Sequence, residues 1–285
     1  MAITSIAALG TPSVEIIPTW YQPNLTTSKI APRGTESPTD ADVRVGIQRV
    51  HDAGMKVILK PHVDLPDDHD RGDISPKDPT AWFTSYRSMM LGYARMATEN
   101  GVEMLCVGTE LASTMKFEAE WRALIAEIRT VYAGPLTYAA NYTSVDDVRF
   151  WDALDHIGVD AYYELVDRPT TDVATLTTAW APHLASLKTL SERIGRPVLI
   201  TEVGYVSQRG ATTEPWNWEF DGVRADDEQR AAYRAVFDAF GGQEWCSGIV
   251  WWMWDDLSDT GEDQRIDYTP NGKPAAEVLR VEWAP

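Results

Sequence analysis

Residues 102–110 read VEMLCVGTE, and the reading of this run decides the fold. It is apolar over the length of a strand, follows Gly101, and ends on a carboxylate, Glu110. Glycine at that point suits the left-handed turn that closes a preceding helix. On the two-residue period of a strand, Met104, Cys106, Gly108 and Glu110 share one face. A carboxylate at the end of such a strand is costly to bury unless it is paired or put to use.

Six more runs repeat the pattern: 14–20 (VEIIPTW), 56–62 (KVILKPH), 136–142 (LTYAANY), 156–162 (HIGVDAY), 197–205 (PVLITEVGY) and 248–254 (GIVWWMW). Segments 42–53, 80–100, 117–132, 175–194 and 226–240 place their apolar residues at helical spacing. The clearest is 117–132, with Phe117, Trp121, Leu124, Ile125, Ile128 and Val131 on one stripe. Strands alternating with helices of this length imply parallel pairing and an α/β fold. No G-x-G-x-x-G or Walker loop follows a strand, which removes the usual mark of a nucleotide-binding doubly wound sheet. Polar and aromatic residues gather instead where the strands end, at Trp20, His62, Glu110, Asn141, Tyr162, Glu202, Trp252 and Trp254. That is the pattern of a (β/α)8 TIM barrel. No linker, repeat or low-complexity segment breaks the chain, so residues 1–285 are expected to form one domain. Loops 22–39 and 207–224, rich in turn residues, are expected above the active face.

Composition narrows the partners. The 285 residues carry 25 Lys and Arg against 43 Asp and Glu, a net charge of −18. Such a surface repels phosphate backbones and anionic lipid, so neither nucleic acid nor a membrane is an expected partner. No run reaches the roughly 20 apolar residues that span a bilayer. The N-terminus, MAITSIAALG, lacks the basic start of a signal peptide, and the chain as written reads as cytoplasmic, or as secreted if an export signal has been removed. Cys106 and Cys246 are too few for a disulfide framework or a structural zinc site. The 12 Trp residues are more than a core needs and suggest flat apolar surfaces for a ligand.

Glu110 and Glu202 are the candidate catalytic pair. Val198, Ile200 and Glu202 share a strand face as Met104 to Glu110 do, so both carboxylates are expected at one mouth. Two carboxylates facing one cleft are what acid-catalysed glycosidic cleavage requires, one to protonate the leaving oxygen and one to attack or to activate water. A lone strand-end Glu more often caps a helix or pairs with Arg; two of them among Trp and Tyr reverse that preference. Asn141 can bond a sugar hydroxyl, and Tyr162 can orient a carboxylate nucleophile. Trp252 and Trp254, extended by Trp20, Trp216 and Trp218, can stack on the apolar face of a sugar ring. Trp251 faces the other way and reads as core. Lys60 and His62 share a face; a Lys inside a barrel must meet a carboxylate or a ligand. Asp64, Asp67, Asp68, His69, Asp70 and Asp73 follow His62, but Asp-rich loops more often cap turns, and no H-E-x-x-H or EF-hand spacing occurs. No metal and no cofactor is expected. A serine hydrolase lacks its G-x-S-x-G elbow.

The blocks VGTEL, EAEWRALIAEIRTVYAGPLTYAANY and FWDALDHIGVDAYYEL, with VEIIPTWYQ, AGMKVILKPHVDL, RPVLITEVGY and GIVWWMWDD, resemble glycoside hydrolase family 113 of clan A over nearly the whole chain. The resemblance implies a (β/α)8 barrel and retaining hydrolysis of β-1,4-mannan. It also implies Glu110 as acid/base after the family's fourth strand and Glu202 as nucleophile after its seventh. Many clan members have Asn before the acid/base; here the residue is Thr109. The segment AITSIAALG matches the helix that follows the family's first strand, so the seven runs correspond to strands two to eight. Without a first strand, the end strands are expected to expose unpaired edges, with the gap covered by the N-terminal segment, covered by a neighbouring chain, or left as a breach. Related readings are a β-glycosidase for another β-linked sugar and a non-catalytic carbohydrate-binding barrel.

Overall fold

The computed structural model describes residues 2–67, 69–219, 222–256 and 265–284. Asp68 of the Asp-rich loop, and residues 220 and 221 of the second long loop, lie outside the described residues. In chain order the elements are α1 (Ala2–Ala7), β1 (Ser13–Ile16), β2 (Thr19–Tyr21), α2 (Asp40–Asp52), β3 (Lys56–Leu59), β4 (His62–Asp64), α3 (Pro79–Glu99), β5 (Met104–Thr109) and α4 (Glu118–Val131). Then follow β6 (Leu136–Asn141), β7 (Ile157–Asp160), α5 (Val173–Ala179), α6 (Ala181–Ile194), β8 (Val198–Val203), α7 (Asp226–Phe240), β9 (Cys246–Trp251) and α8 (Ala275–Glu282).

The main sheet has the hydrogen-bonded order β1-β3-β5-β6-β7-β8-β9. Its strands run parallel and follow chain order with helices between them, which is the βα order of a (β/α)8 barrel. Among the described residues the segment ahead of β1 forms a helix, α1, and no eighth strand. The end strands β1 and β9 are half-exposed along most of their length, whereas β6 and β8 are buried almost throughout.

Two expected strands are interrupted. Runs 14–20 and 56–62 each split into two segments, and β2 pairs with β4 in a separate ladder. The register is nonetheless continuous, Ile16 opposite Leu59 and Thr19 opposite His62. Lys60 N–H donates to Ile16 and His62 N–H to Pro18 across the gap. Pro18 and Pro61 fall inside it and have no N–H to give. Segment 175–194 forms two helices, because Pro182 cannot donate to the carbonyl of Thr178, which instead accepts from Trp180.

The chain divides into two compact units. One holds Pro12–Val159 with Ile194–Arg196. Its helix α2 starts on a capping box, with Thr39 N–H donating to Asp42 and Asp42 N–H to Thr39 Oγ1. Trp121 of α4 is its aromatic centre, within 5.4–5.6 Å of Phe83, Tyr86, Tyr138 and Phe150. The other unit holds Met1–Thr11, Asp160–Arg193 and Pro197–Pro285. There the N-terminal segment is seated: Leu9 is buried, and Trp254 Nε1–H donates to Ser5 Oγ. Trp82, Trp121, Trp151 and Trp180 are completely buried, so much of the Trp surplus serves the core rather than a ligand. No helix among the described residues is long and apolar enough to cross a membrane.

Candidate active site

Glu110 follows a defect in its strand. Cys106 lies opposite Thr137 and Thr109 opposite Ala139, so β5 spends three residues where β6 spends two. Such a bulge re-aims the side chains beyond it, and the single face expected from Met104 through Glu110 is broken there. Glu110 itself has φ 53°, the one non-glycine residue in the left-handed region among the described residues. That conformation costs a non-glycine residue about 1–3 kcal/mol, and such outliers cluster at functional sites. Its N–H still donates to Ala139, which ties the turned residue to β6.

The carboxylate is held from both sides. Asn141 Nδ2–H donates to Oε1 at 2.9 Å, and Arg71 Nη1 stands 3.4 Å from Oε2. The amide of Asn141 is fixed in turn, because its Oδ1 accepts from Thr143 N–H and Oγ1–H. Asn141, expected to bind a sugar hydroxyl, is thus engaged with Glu110. Arg71 also donates through Nε and Nη2 to Asp64 Oδ1, at 2.8 and 2.7 Å.

Lys60 is fully buried and meets the buried Glu15 at 3.5 Å, the carboxylate partner it requires. His62 is buried beside them, and burial, then Arg71 and Lys60, hold its pKa well below the usual value, so it is neutral near pH 7. Trp20 departs from the expected placement. Its ring meets Tyr93 of α3 edge-on at 6.2 Å, and it is half-buried. The Asp-rich loop serves its own turns. Asp70 caps the short turn Arg71–Asp73 by accepting from Gly72 N–H, and Asp67 pairs with His69. Among the described residues no three His, Cys, Asp or Glu side chains are grouped to hold a metal ion.

In the other unit, Glu202 lies within β8 and is 5% exposed. It too sits at a bulge, between Ile200 opposite Ile249 and Val203 opposite Trp251. Tyr162 O–H donates to Glu202 Oε2 at 2.7 Å, the donor expected from the sequence. Burial, and then the charge of Glu202, push the Tyr162 hydroxyl well above its usual pKa, so it remains a donor. Tyr268 packs edge-on against Tyr162 at 6.2 Å and donates its own O–H to the carbonyl of Pro215. Next to Glu202, Gly204 lies so close to the Trp252 carbonyl that a Cβ there would come within 2.3 Å.

The aromatic run after β9 divides. Trp251 stacks on Tyr233 of α7 at 3.8 Å, the core role expected of it. The strand ends at Trp251. The shared strand face assigned to Trp252 and Trp254 therefore does not exist. Trp254 lines a cavity of about 330 Å³ with Ser5, Ala8 and Leu9, while Trp252 is half-buried. Trp216 and Trp218 are 46% and 59% exposed, and Trp216 Nε1–H donates to Glu164. Arg71 and Tyr268 were not identified from the sequence. An Arg amid a run of Asp was the only available signal for the first; nothing marked the second.

A βα-repeat with carboxylates held at bulged strand ends by Asn, Arg and Tyr has the equipment of a glycoside-cleaving enzyme. Comparison gives the family. The sequence matches Glycoside Hydrolase Family 113 over residues 2–273, and the chain belongs to that family and is a glycoside hydrolase. It is similar to the GH113 β-mannanase AaManA from Alicyclobacillus acidocaldarius, solved in complex with ManMIm, at 30% identity and TM-score 0.90, covering 99% of this chain and 90% of that one. A GH113 β-1,4-mannanase solved as a complex is similar at 26% identity and TM-score 0.88, covering 99% and 93%. A β-glucuronidase from Ruminococcus gnavus shares the fold alone, at 14% identity and TM-score 0.63, covering 99% of this chain and 44% of that one. No curated protein matches.

Proposed function

We propose that this chain is a retaining endo-β-1,4-mannanase in which Glu110 is the acid/base and Glu202 the nucleophile. The observation that carries the reading is the likeness to β-mannanases over 99% of the chain, joined to two glutamates that each stand at a strand bulge with dedicated donors. In the first step Glu202 attacks the anomeric carbon while Glu110 gives its proton to the departing glycosidic oxygen. A covalent glycosyl-enzyme results, and Glu110, now ionised, takes a proton from the water that releases the sugar. Tyr162 orients the nucleophile, and Asn141 and Arg71 orient the acid. Aromatic surface for sugar rings comes from Trp252 and from the exposed Trp216 and Trp218.

The decisive experiment is a reducing-sugar assay on mannan, cellulose and xylan with Glu202→Gln as control. Release from mannan alone, lost in the variant, is expected; equal release from cellulose would redirect the substrate assignment. The roles are separated with azide. Glu110→Ala should keep activity on aryl mannosides, whose leaving groups need little protonation, and azide should rescue it as the β-mannosyl azide. Glu202→Ala should be inactive on every substrate and yield the α-azide. Exchanged behaviour of the two variants reverses the assignment.

A further inference from the structure

Arg71 divides its guanidinium unequally. Nε and Nη2 go to one oxygen of Asp64 at 2.8 and 2.7 Å, and Nη1 reaches toward Glu110 at the longer 3.4 Å. The three side chains are partly shielded, at 19% exposure for Arg71, 18% for Glu110 and 30% for Asp64. The turn carrying Arg71 is fixed by Asp70, and the second oxygen of Glu110 is engaged by Asn141, so these distances come from a braced arrangement. We propose that Asp64 and Arg71 form a positioning pair that sets how firmly Glu110 holds its proton. Arg71 favours the carboxylate, and Asp64 restrains that effect by keeping most of the guanidinium to itself.

The chemistry of the reaction makes this balance matter. The acid must carry a proton at the start of the cycle and lack one in its second half. A full bidentate pair between Arg71 and Glu110 would hold the acid ionised and stop the first half-reaction. With no cation nearby, the second half-reaction would lose its base. The other charged and titratable groups of this neighbourhood are Tyr21 on β2, raised by burial and by Asp64, the buried pair Glu15 and Lys60, neutral His62, and Asp70. In the proposed reaction Glu202 joins them. Among them stands Arg71, which contacts both Asp64 and Glu110.

The inference rests on Glu110 being the acid/base, and its test is arranged to fail separately. The pH dependence of kcat/KM is measured on an unactivated manno-oligosaccharide, where the leaving oxygen needs a proton. An opposite charge within about 4–6 Å moves a carboxyl group by 1–3 pH units, and partial exposure selects the low end. Arg71→Gln should therefore raise the basic limb by about one pH unit. Asp64→Asn frees Arg71 to close on Glu110 and should lower the same limb. Arg71→Lys should stay between wild type and Arg71→Gln, and the double variant Asp64→Asn/Arg71→Gln should follow Arg71→Gln, because Asp64 acts through Arg71. Basic limbs that stay put in both single variants, or that move in the same direction, overturn the proposal. Uniform loss of kcat at every pH does so as well. If Arg71→Gln does not fold, Asp64→Asn alone decides, since it leaves the cation in place. Unmoved limbs with azide rescue of Glu110→Ala intact remove this inference only; loss of that rescue removes the role of Glu110 itself.

Discussion

At the scale of single residues, the two glutamates are held by unlike means. Glu110 combines a left-handed φ just past a bulge with contacts from Asn141 and Arg71. Glu202 is buried within its strand and accepts a short hydrogen bond from Tyr162. A hydrogen bond to a charged group contributes about 1.5–3 kcal/mol, which converts to roughly 10- to 100-fold in rate where it orients the reacting atom. Tyr162→Phe is expected to reduce kcat on mannan by that factor with a smaller change in KM. Steady-state kinetics beside a thermal melt check it; an unchanged kcat in a folded variant would show that Tyr162 does not orient the nucleophile. Lys60 offers a second test. Leaving one member of a buried ion pair alone costs about 3–5 kcal/mol, whereas replacing both with apolar groups is often neutral. Lys60→Met should thus lower unfolding stability by about that amount, and Glu15→Leu/Lys60→Met should recover most of it. If Lys60→Met instead leaves stability intact and raises KM, Lys60 binds sugar rather than pairing with Glu15.

Elements set what the residues can do, and β8 with its neighbour β9 shows how. Gly204 lets the backbone after Glu202 pass beside the Trp252 carbonyl, where a Cβ would stand at 2.3 Å. Gly204→Ala must therefore push apart the segments carrying Glu202 and Trp252. The expected result is loss of mannan hydrolysis together with a lower melting temperature, read by assay and calorimetry. Full activity in Gly204→Ala would show that the approach of these backbones is not needed. The positions of the strands were legible from the sequence because buried parallel strands are continuous apolar runs, and 136–142, 156–162 and 197–205 contain β6, β7 and β8. The facing of individual side chains was less legible. A two-residue period holds only while the ladder is regular, and bulges in β5 and β8 shift it just where the glutamates stand. The shared face of Trp252 and Trp254 was misread for a related reason, since β9 ends at Trp251. Arg71 was missed because its partners lie seven and thirty-nine residues away, a pairing no local pattern encodes. The Tyr162–Glu202 bond was anticipated because both residues stand near the C-terminal ends of their strands, β7 and β8.

For the whole molecule, pH brings opposing effects together. At pH 7 the chain carries a net charge of −18, and proton uptake relaxes this self-repulsion as the solution becomes more acid. Histidines shielded wholly or in part act in the opposite sense. His62, His156 and His183 all have pKa values lowered from the usual 6.5 by burial, with the charges of Arg71 and Lys60 adding to the effect at His62. A histidine lowered in the folded state stays neutral while its unfolded counterpart takes a proton. Its stabilising contribution is complete above about pH 6.5 and is lost as pH falls through that value, by up to about 1.4 kcal/mol per pH unit for each proton. Lowered carboxylates enter further down. Arg122 holds Asp152 low, and Asp155, although burial opposes it, is held low by Leu136 N–H and Arg129. Their contribution is lost only as pH falls below about 4. The interval from pH 7.5 to 5.5 therefore belongs to the histidines and to general charge repulsion. Because the repulsion is nearly the same in wild type and in His62→Gln, the difference between their slopes isolates His62. Urea unfolding across that interval should show wild type losing more stability than His62→Gln on acidification, even though the variant starts from a lower value. Parallel slopes would mean that His62 can take a proton without leaving its site.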